Sequence, residues 1–335
     1  MKAIKIAAPG GLDNLALVDL ADPGKAGPGQ IRVRIHANSL NFHDYLVASG
    51  KMKADDGRIP MSDGAGVVED VGEGVTEFKA GDHVVSCFFP LWQDGPPEVD
   101  NFSFTPGDGI DGYAAEIVVR PATWFTHVPN GFSHAEAATL ATAGLTAWRA
   151  LVVDGWLKAG NTVLVQGTGG VSIFALQIAK AMGAEVIVTS SSDEKLERAR
   201  ALGADHLINY KSIPAWSTRV RELTGGRGVD HVVEVGGPGT LPQSIASVAI
   251  GGHIALIGVL TGLGGNVPTA LLMARQARLQ GLIVGSRREQ NEFVRAINVI
   301  GLRPVIDRSF SLADIAHAFR LQEEGRHFGK ISLDF

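Results

Sequence analysis

Short apolar runs broken by turn residues fill the first 125 positions. Ile31–Ala37, Ala65–Val71, His83–Cys87 and Ala114–Val119 each alternate or cluster as strands do, and the opening MKAIKI follows the same pattern. Turn signals such as Pro28-Gly29, Glu73-Gly74 and Ala80-Gly81-Asp82 separate them. Between residues 130 and 287 the pattern changes to alternating helix and strand. Strands are expected at Thr162–Gln166, Glu185–Thr189, His206–Ile208, His231–Glu234, His253–Ile257 and Gly281–Val284. That count suits a doubly wound parallel sheet made of two mononucleotide halves. Beyond 289, two helical patterns (Asn291–Ile300 and Leu312–Glu323) precede a last strand, Lys330–Asp334. The pattern therefore predicts an α/β chain with a β-rich part and a Rossmann part.

The most specific stretch is the turn after Val163–Val165. It reads Gly167-Thr168-Gly169-Gly170-Val171-Ser172 and opens an amphipathic helix. Backbone N–H groups left unpaired at such a helix start can hold a pyrophosphate. Gly167 would make the tight turn, and Gly169 would let the backbone approach the phosphates. Ser172 replaces the usual third glycine and is small enough for helix and strand to pack closely. At the end of the second strand, where NAD binders place a carboxylate, stand Ser190, Ser191 and Ser192, followed by Asp193-Glu194-Lys195. Hydroxyls and Lys195 would accept a 2′-phosphate that a carboxylate would repel, so NADPH is expected over NADH. The same residues also read as a helix N-cap with an acidic first turn.

Composition changes the picture only by exclusion. A net charge of −5 over 335 residues favours neither nucleic acid nor an anionic membrane surface. No apolar run reaches the length of a membrane span, and the N-terminus lacks a signal-peptide core. One cysteine, Cys87, permits no internal disulfide and suits a reducing cytoplasm.

The layout resembles the medium-chain dehydrogenase/reductase superfamily, which holds zinc alcohol dehydrogenases and zinc-free NADPH quinone oxidoreductases. The resemblance runs along essentially the whole chain. Its landmarks include Asn41-Phe42-His43-Asp44, Asp63-Gly64-Ala65-Gly66, Phe78-Lys79-Ala80-Gly81-Asp82, Ala143-Gly144-Leu145-Thr146-Ala147, the glycine turn, Ile208-Asn209-Tyr210 and Gly329-Lys330. It implies a GroES-like β-rich catalytic domain, residues 1–129 and 289–335, interrupted by a Rossmann NADP-binding domain at 130–288. It also places Thr146 at the cofactor, Tyr210 with Lys195 and Ser190 beside the 2′-phosphate, and Gly258, Val259, Val284, Gly285 and Ser286 at the nicotinamide end. Arg287 or Arg288 would reach cofactor or substrate, or lie at the surface. Relatives often pair through the edge strand, which implies a homodimer built on Gly281–Val284 with Ala255–Gly258.

The three positions that bind catalytic zinc in the zinc members read Asn41, Ser62 and Thr142, and the cysteines of the structural zinc lobe are missing. Neutral amides and hydroxyls are poor zinc ligands, so no metal is expected. The oxygen of a reducible substrate would instead need hydrogen-bond donors. Asn41, Ser62 and Thr142 are candidates, with Asn41 equally readable as a turn residue. His43 stands where a proton relay would sit and is a general acid or base, or a loop cap; Tyr45 is near enough to donate instead. Asp44 reads as structural, and Asp63 as orienting a neighbour. The stretch Phe88–Gly112 has aromatic residues and prolines but no Lys or Arg. It reads as a loop that either lids an apolar site or packs on its own domain. These expectations describe a zinc-independent NADPH oxidoreductase acting on a small apolar enone, quinone or carbonyl. The alternatives are a metal-free alcohol or aldehyde dehydrogenase and a non-catalytic NADPH-binding protein.

Overall fold

The computed structural model describes residues 1–102 and 104–335, which form two compact units. One is Met1–Leu145 with Val284–Phe335; the other is Thr146–Ile283. The chain thus leaves its first unit, builds the second and returns, but the crossings fall at Leu145 and Val284 rather than near residues 129 and 289. The helix His134–Ala138 accounts for the first difference. Its Ala137 and Ala138, with Ala141, are buried against Ala37, Ala65 and Val85 of the β-rich unit.

The first unit opens with the antiparallel hairpin β1 (Lys2–Ile6) and β2 (Leu15–Asp19). There follow β3 (Gln30–Ser39), β4 (Gly64–Val71), β5 (His83–Ser86), β6 (Ile117–Pro121) and β7 (Phe125–His127). The second unit contributes β8 (Thr162–Gln166), β9 (Glu185–Ser190), β10 (His206–Asn209), β11 (Val229–Glu234), β12 (Val248–Leu256) and β13 (Arg278–Gly281). The returning chain adds β14 (Ile306–Ser311) and β15 (Lys330–Asp334).

In β3 the alternation is plain: Ile31, Val33 and Ile35 are buried, while Arg32, Arg34 and His36 are not. The buried set packs with Val68, Phe78, Val84, Val118 and Phe125, each such side chain contributing about 1.5–3 kcal/mol on burial. The sheet runs β14–β15–β3–β4–β5–β7, with β6 also on β3. Ser332 of β15 pairs with Ser39, so the last strand is delivered to the end of β3, where the chain turns into the helix Phe42–Ala48. The expected strand Ala114–Val119 begins later, at Ile117, because Ala114 and Ala115 pair with β1 instead.

The second unit is a parallel sheet in the order β10–β9–β8–β11–β12–β13. This is the doubly wound order that reverses beside β8. All five residues of β8 are buried, as a central strand covered on both faces requires. The last strand lies at Arg278–Gly281 rather than Gly281–Val284. Gly281 is its final paired residue, and Val284 sits at φ 47°, a left-handed conformation that cannot continue a strand. Among the described residues no helix is long and apolar enough to cross a membrane.

Candidate active site and dinucleotide cradle

In the β-rich unit, Asn41, Ser62 and Thr142 come together around Asp63. Three local structures bring them there. Asn41 is the N-cap of the helix Phe42–Ala48. Ser62 follows Met61, which holds φ at 77°. That left-handed conformation costs about 1–2 kcal/mol in a non-glycine residue. It is held by the Tyr113 amide on the Met61 carbonyl (2.8 Å) and by the Ser62 amide on Asp44 Oδ1 (2.8 Å). Thr142 lies in Leu140–Gly144, a π-helical turn in which the Gly144 amide reaches back to the Thr139 carbonyl. Such widened turns redirect side chains and recur at functional sites.

The bonds of the cluster define each atom's role. Asn41 Nδ2 donates to Asp63 Oδ2 at 2.8 Å and lies 3.3 Å from Ser62 Oγ. Thr142 Oγ1 donates to Asp63 Oδ1 at 2.5 Å. Asn41 Oδ1 accepts from Lys330 Nζ at 2.6 Å, and the same ammonium donates to the Leu40 carbonyl. Asp63 is fully buried; burial pushes its carboxyl up to about 7 against the pull of Lys330. Burial likewise pushes Lys330 down to about 8, with Asp63 and Asp44 opposing. Asp44 is structural, accepting from the Asn41 and Ser62 amides. Asn41 is thus both a turn residue and a member of the cluster. Asp63 orients Asn41 and Thr142, as its position suggested.

His43 and Tyr45 part company. Burial lowers the His43 imidazole, but Asp108 at 3.4 Å and Asp44 at 3.7 Å outweigh it and raise the group to about 9. His43 is therefore an imidazolium at neutral pH, able to donate a proton rather than to take one. The Tyr45 hydroxyl is bonded to Glu323 and Lys51, and its ring packs near Phe319, so it is not one of the donors at Asp63.

The aromatic loop packs largely on itself. Phe88, Phe89 and Trp92 are buried; Phe89 meets Phe88 and Phe102 edge to face, and Phe88 meets His43 at 5.3 Å. Phe102 and Phe104 are exposed. Arg287 and Arg288 are engaged within the unit. Arg287 holds the Phe125 carbonyl and Glu77, while Arg288 holds Asp94 and Glu292.

In the second unit the glycine turn has the expected form. Gly167 takes φ 72°, Gly169 caps the helix Gly170–Ala181, and space stands open where a Gly169 side chain would be. Thr168 is buried, and Val171 lies in the first helical turn. Ser172 does more than fit: its hydroxyl donates to the Gln166 carbonyl at 2.7 Å, tying helix to strand. Thr146 is buried at the start of the unit.

Ser190 ends β9 and its carbonyl accepts from the Tyr210 amide, just past β10. Ser192 caps the helix Asp193–Ala201 by accepting from the Lys195 amide. Ser190, Ser191, Lys195 and Tyr210 therefore gather at the carboxyl ends of two paired strands. Gly258 follows β12, and a side chain there would meet the Val235 carbonyl at 2.1 Å. Val259 beside it is exposed. Val284 and Gly285 precede Ser286, whose hydroxyl is committed to capping the helix Arg287–Ile300 through Glu289.

Three contributors escaped pattern reading. Lys330 stood out only within a Gly-Lys landmark, and Asp108 sits in a loop with no period. Glu234, at the end of β11, is buried and accepts from the Gly236 and Gly237 amides, Thr240, Gln166 and Ser244. It fixes the loop beside Val259; a carboxylate at the end of an apolar strand was the available signal.

Residues 27–130 match the alcohol dehydrogenase GroES-like domain family, and residues 170–300 the zinc-binding dehydrogenase family. The chain is 41% identical, over 96% of both lengths, to a zinc-type alcohol dehydrogenase-like protein of Schizosaccharomyces pombe. A solved NAD-dependent alcohol dehydrogenase is 37% identical with a TM-score of 0.90 and full coverage of both chains, at 100% each. A mycobacterial protein solved with NADPH is 31% identical with a TM-score of 0.83, again covering 100% of each.

Proposed function

The chain belongs to the medium-chain dehydrogenase/reductase superfamily and is an NAD(P)-dependent oxidoreductase, and from that premise we propose that it works without zinc, with NADPH, on an apolar enone, quinone or carbonyl substrate. The observation that carries this reading is the cluster at Asp63. The zinc implied by the family description does not suit these donors: Asn41, Ser62 and Thr142 offer an amide and two hydroxyls, and Asn41 Oδ1 already faces a lysine ammonium, which would repel a dication.

NADPH suits the second unit. Gly167–Val171 would hold its pyrophosphate at the helix start, and Ser190, Ser191, Lys195 and Tyr210 would take the 2′-phosphate. When bound, NADPH supplies the hydride. The chain's own residues then have two tasks. Asn41 and Ser62 orient and polarise the substrate oxygen, and Thr142 and Asp63 hold them in place. His43, protonated at neutral pH, delivers the proton that completes reduction of a C=C or C=O bond. Buried Phe88 beside His43, with Phe89 packed on it, favours an apolar substrate.

A homodimer belongs to the same reading: β13 is an edge strand of its sheet, and Met273 and Ile283 near it are exposed. So does a cytoplasmic location, which the single buried Cys87 suits. The test is a steady-state assay of quinones, enones and aldehydes with NADPH and with NADH, on protein whose zinc content has been measured. Turnover favouring NADPH in zinc-free protein supports the reading. Stoichiometric zinc, equal use of NADH, or tight NADPH binding without turnover on any acceptor would each overturn the corresponding part.

A further inference from the structure

We propose that Lys330 is the positioning residue of the reduction site, its buried ammonium orienting and polarising the Asn41 amide for the substrate oxygen. The inference rests on the metal-free reading above. It begins from the register of the last strand. Ser332 pairs with Ser39, and the Leu40 amide donates to the Ile331 carbonyl. Continuing that antiparallel register brings Lys330 to Asn41, where Nζ lies 2.6 Å from Oδ1.

A lysine ammonium only donates. It therefore admits one orientation of the Asn41 amide, with Oδ1 towards Lys330 and Nδ2 towards the carboxylate of Asp63. One Nδ2 hydrogen is committed to Asp63 at 2.8 Å. The nearest further acceptors, Ser62 Oγ and the Ser39 carbonyl, stand at 3.3 and 3.4 Å, contacts that a substrate oxygen can displace. A full positive charge on Oδ1 draws density from the amide and makes that hydrogen a stronger donor. The chain thus keeps a cation one amide away from the substrate oxygen, in place of a metal touching it. Burying an ammonium is costly, and Asp63 and Asp44, the carboxylates facing it, offset that cost.

The test compares K330Q and K330R with wild type in NADPH-dependent reduction. Gln keeps a donor near Leu40 and Asn41 but removes the charge; Arg keeps the charge. K330Q is expected to lose about tenfold or more in kcat, with KM for NADPH within about twofold, and K330R to recover most of the loss. Wild-type kcat is expected to fall as pH rises through about 8, where Lys330 gives up its proton. K330Q keeps only the later limb near 9, where His43 gives up its proton. A wild-type fall that begins near 8, before the His43 limb near 9, needs no variant, so the assignment stays testable if K330Q does not fold. Equal loss in K330Q and K330R, an unchanged kcat in K330Q, or a wild-type kcat that falls only with the His43 limb near 9 overturns the assignment and leaves the oxidoreductase reading intact. Absence of turnover in wild type overturns both.

Discussion

Replacing Asp108 with asparagine will lower the His43 imidazole and cost stability only while that imidazole is charged. In the native chain His43 is held at about 9 instead of 6.5. The difference is worth about 3 kcal/mol, net of what burial takes away. It is shared by two carboxylates, Asp44 at 3.7 Å and Asp108 at 3.4 Å. Asp108 is 36% exposed, so its share is screened and amounts to about 1 kcal/mol. The sign follows from the raised value. The folded state binds the proton more tightly than the unfolded chain, so the stabilisation is complete below about pH 6.5 and is lost as pH rises through about 9. Urea unfolding of wild type and D108N will therefore differ by about 1 kcal/mol at pH 6 and converge by pH 10. Proton NMR of the His43 ring will titrate well above neutrality in wild type and closer to 6.5 in D108N. An equal stability gap at both pH values, or a wild-type His43 that titrates near 6.5, would refute the ion-pair reasoning and return His43 to the role of a base.

Other outcomes follow from single contacts. S190D places a carboxylate where the 2′-phosphate is expected, and will raise KM for NADPH at least tenfold while leaving NADH little changed; unchanged NADPH use would remove Ser190 from that site. G258A drives a methyl group against the Val235 carbonyl and will lower stability by about 1–3 kcal/mol in urea melts, with weakened dinucleotide binding by fluorescence titration. Cys87 is buried, and its thiol is pushed up to about 12 by that burial. It will resist thiol reagents at pH 8 in the native protein and react promptly in denaturant, whereas fast native labelling would contradict its burial.

Local pattern determined a great deal here. The alternation of Ile31, Val33 and Ile35 with charged neighbours could only be a strand with one buried face. The apolar run Val163–Val165 at the centre of β8, followed by a glycine turn and a helix, predicted a phosphate-binding unit from neighbouring residues alone, because pyrophosphate recognition uses backbone N–H groups a few positions apart. Ser190 carried the expectation of NADPH, and Asn41, Ser62 and Thr142 carried the expectation of no zinc, since chemical identity is legible without geometry. The edge strand was misplaced by three residues because Leu282 and Ile283 are as apolar as a strand, whereas its pairing with β12 already begins at Arg278 and Val284 is left-handed. Tyr45 lies four residues from Asn41, yet the helix turns its hydroxyl to Glu323. What tertiary structure alone decided was which charges meet. Asp108 reaches His43 across 65 positions and Lys330 reaches Asn41 across 289, and no periodicity spans such distances. Those contacts set the proton on His43 and the orientation of Asn41, because a buried charge takes its state from neighbours in space rather than in sequence.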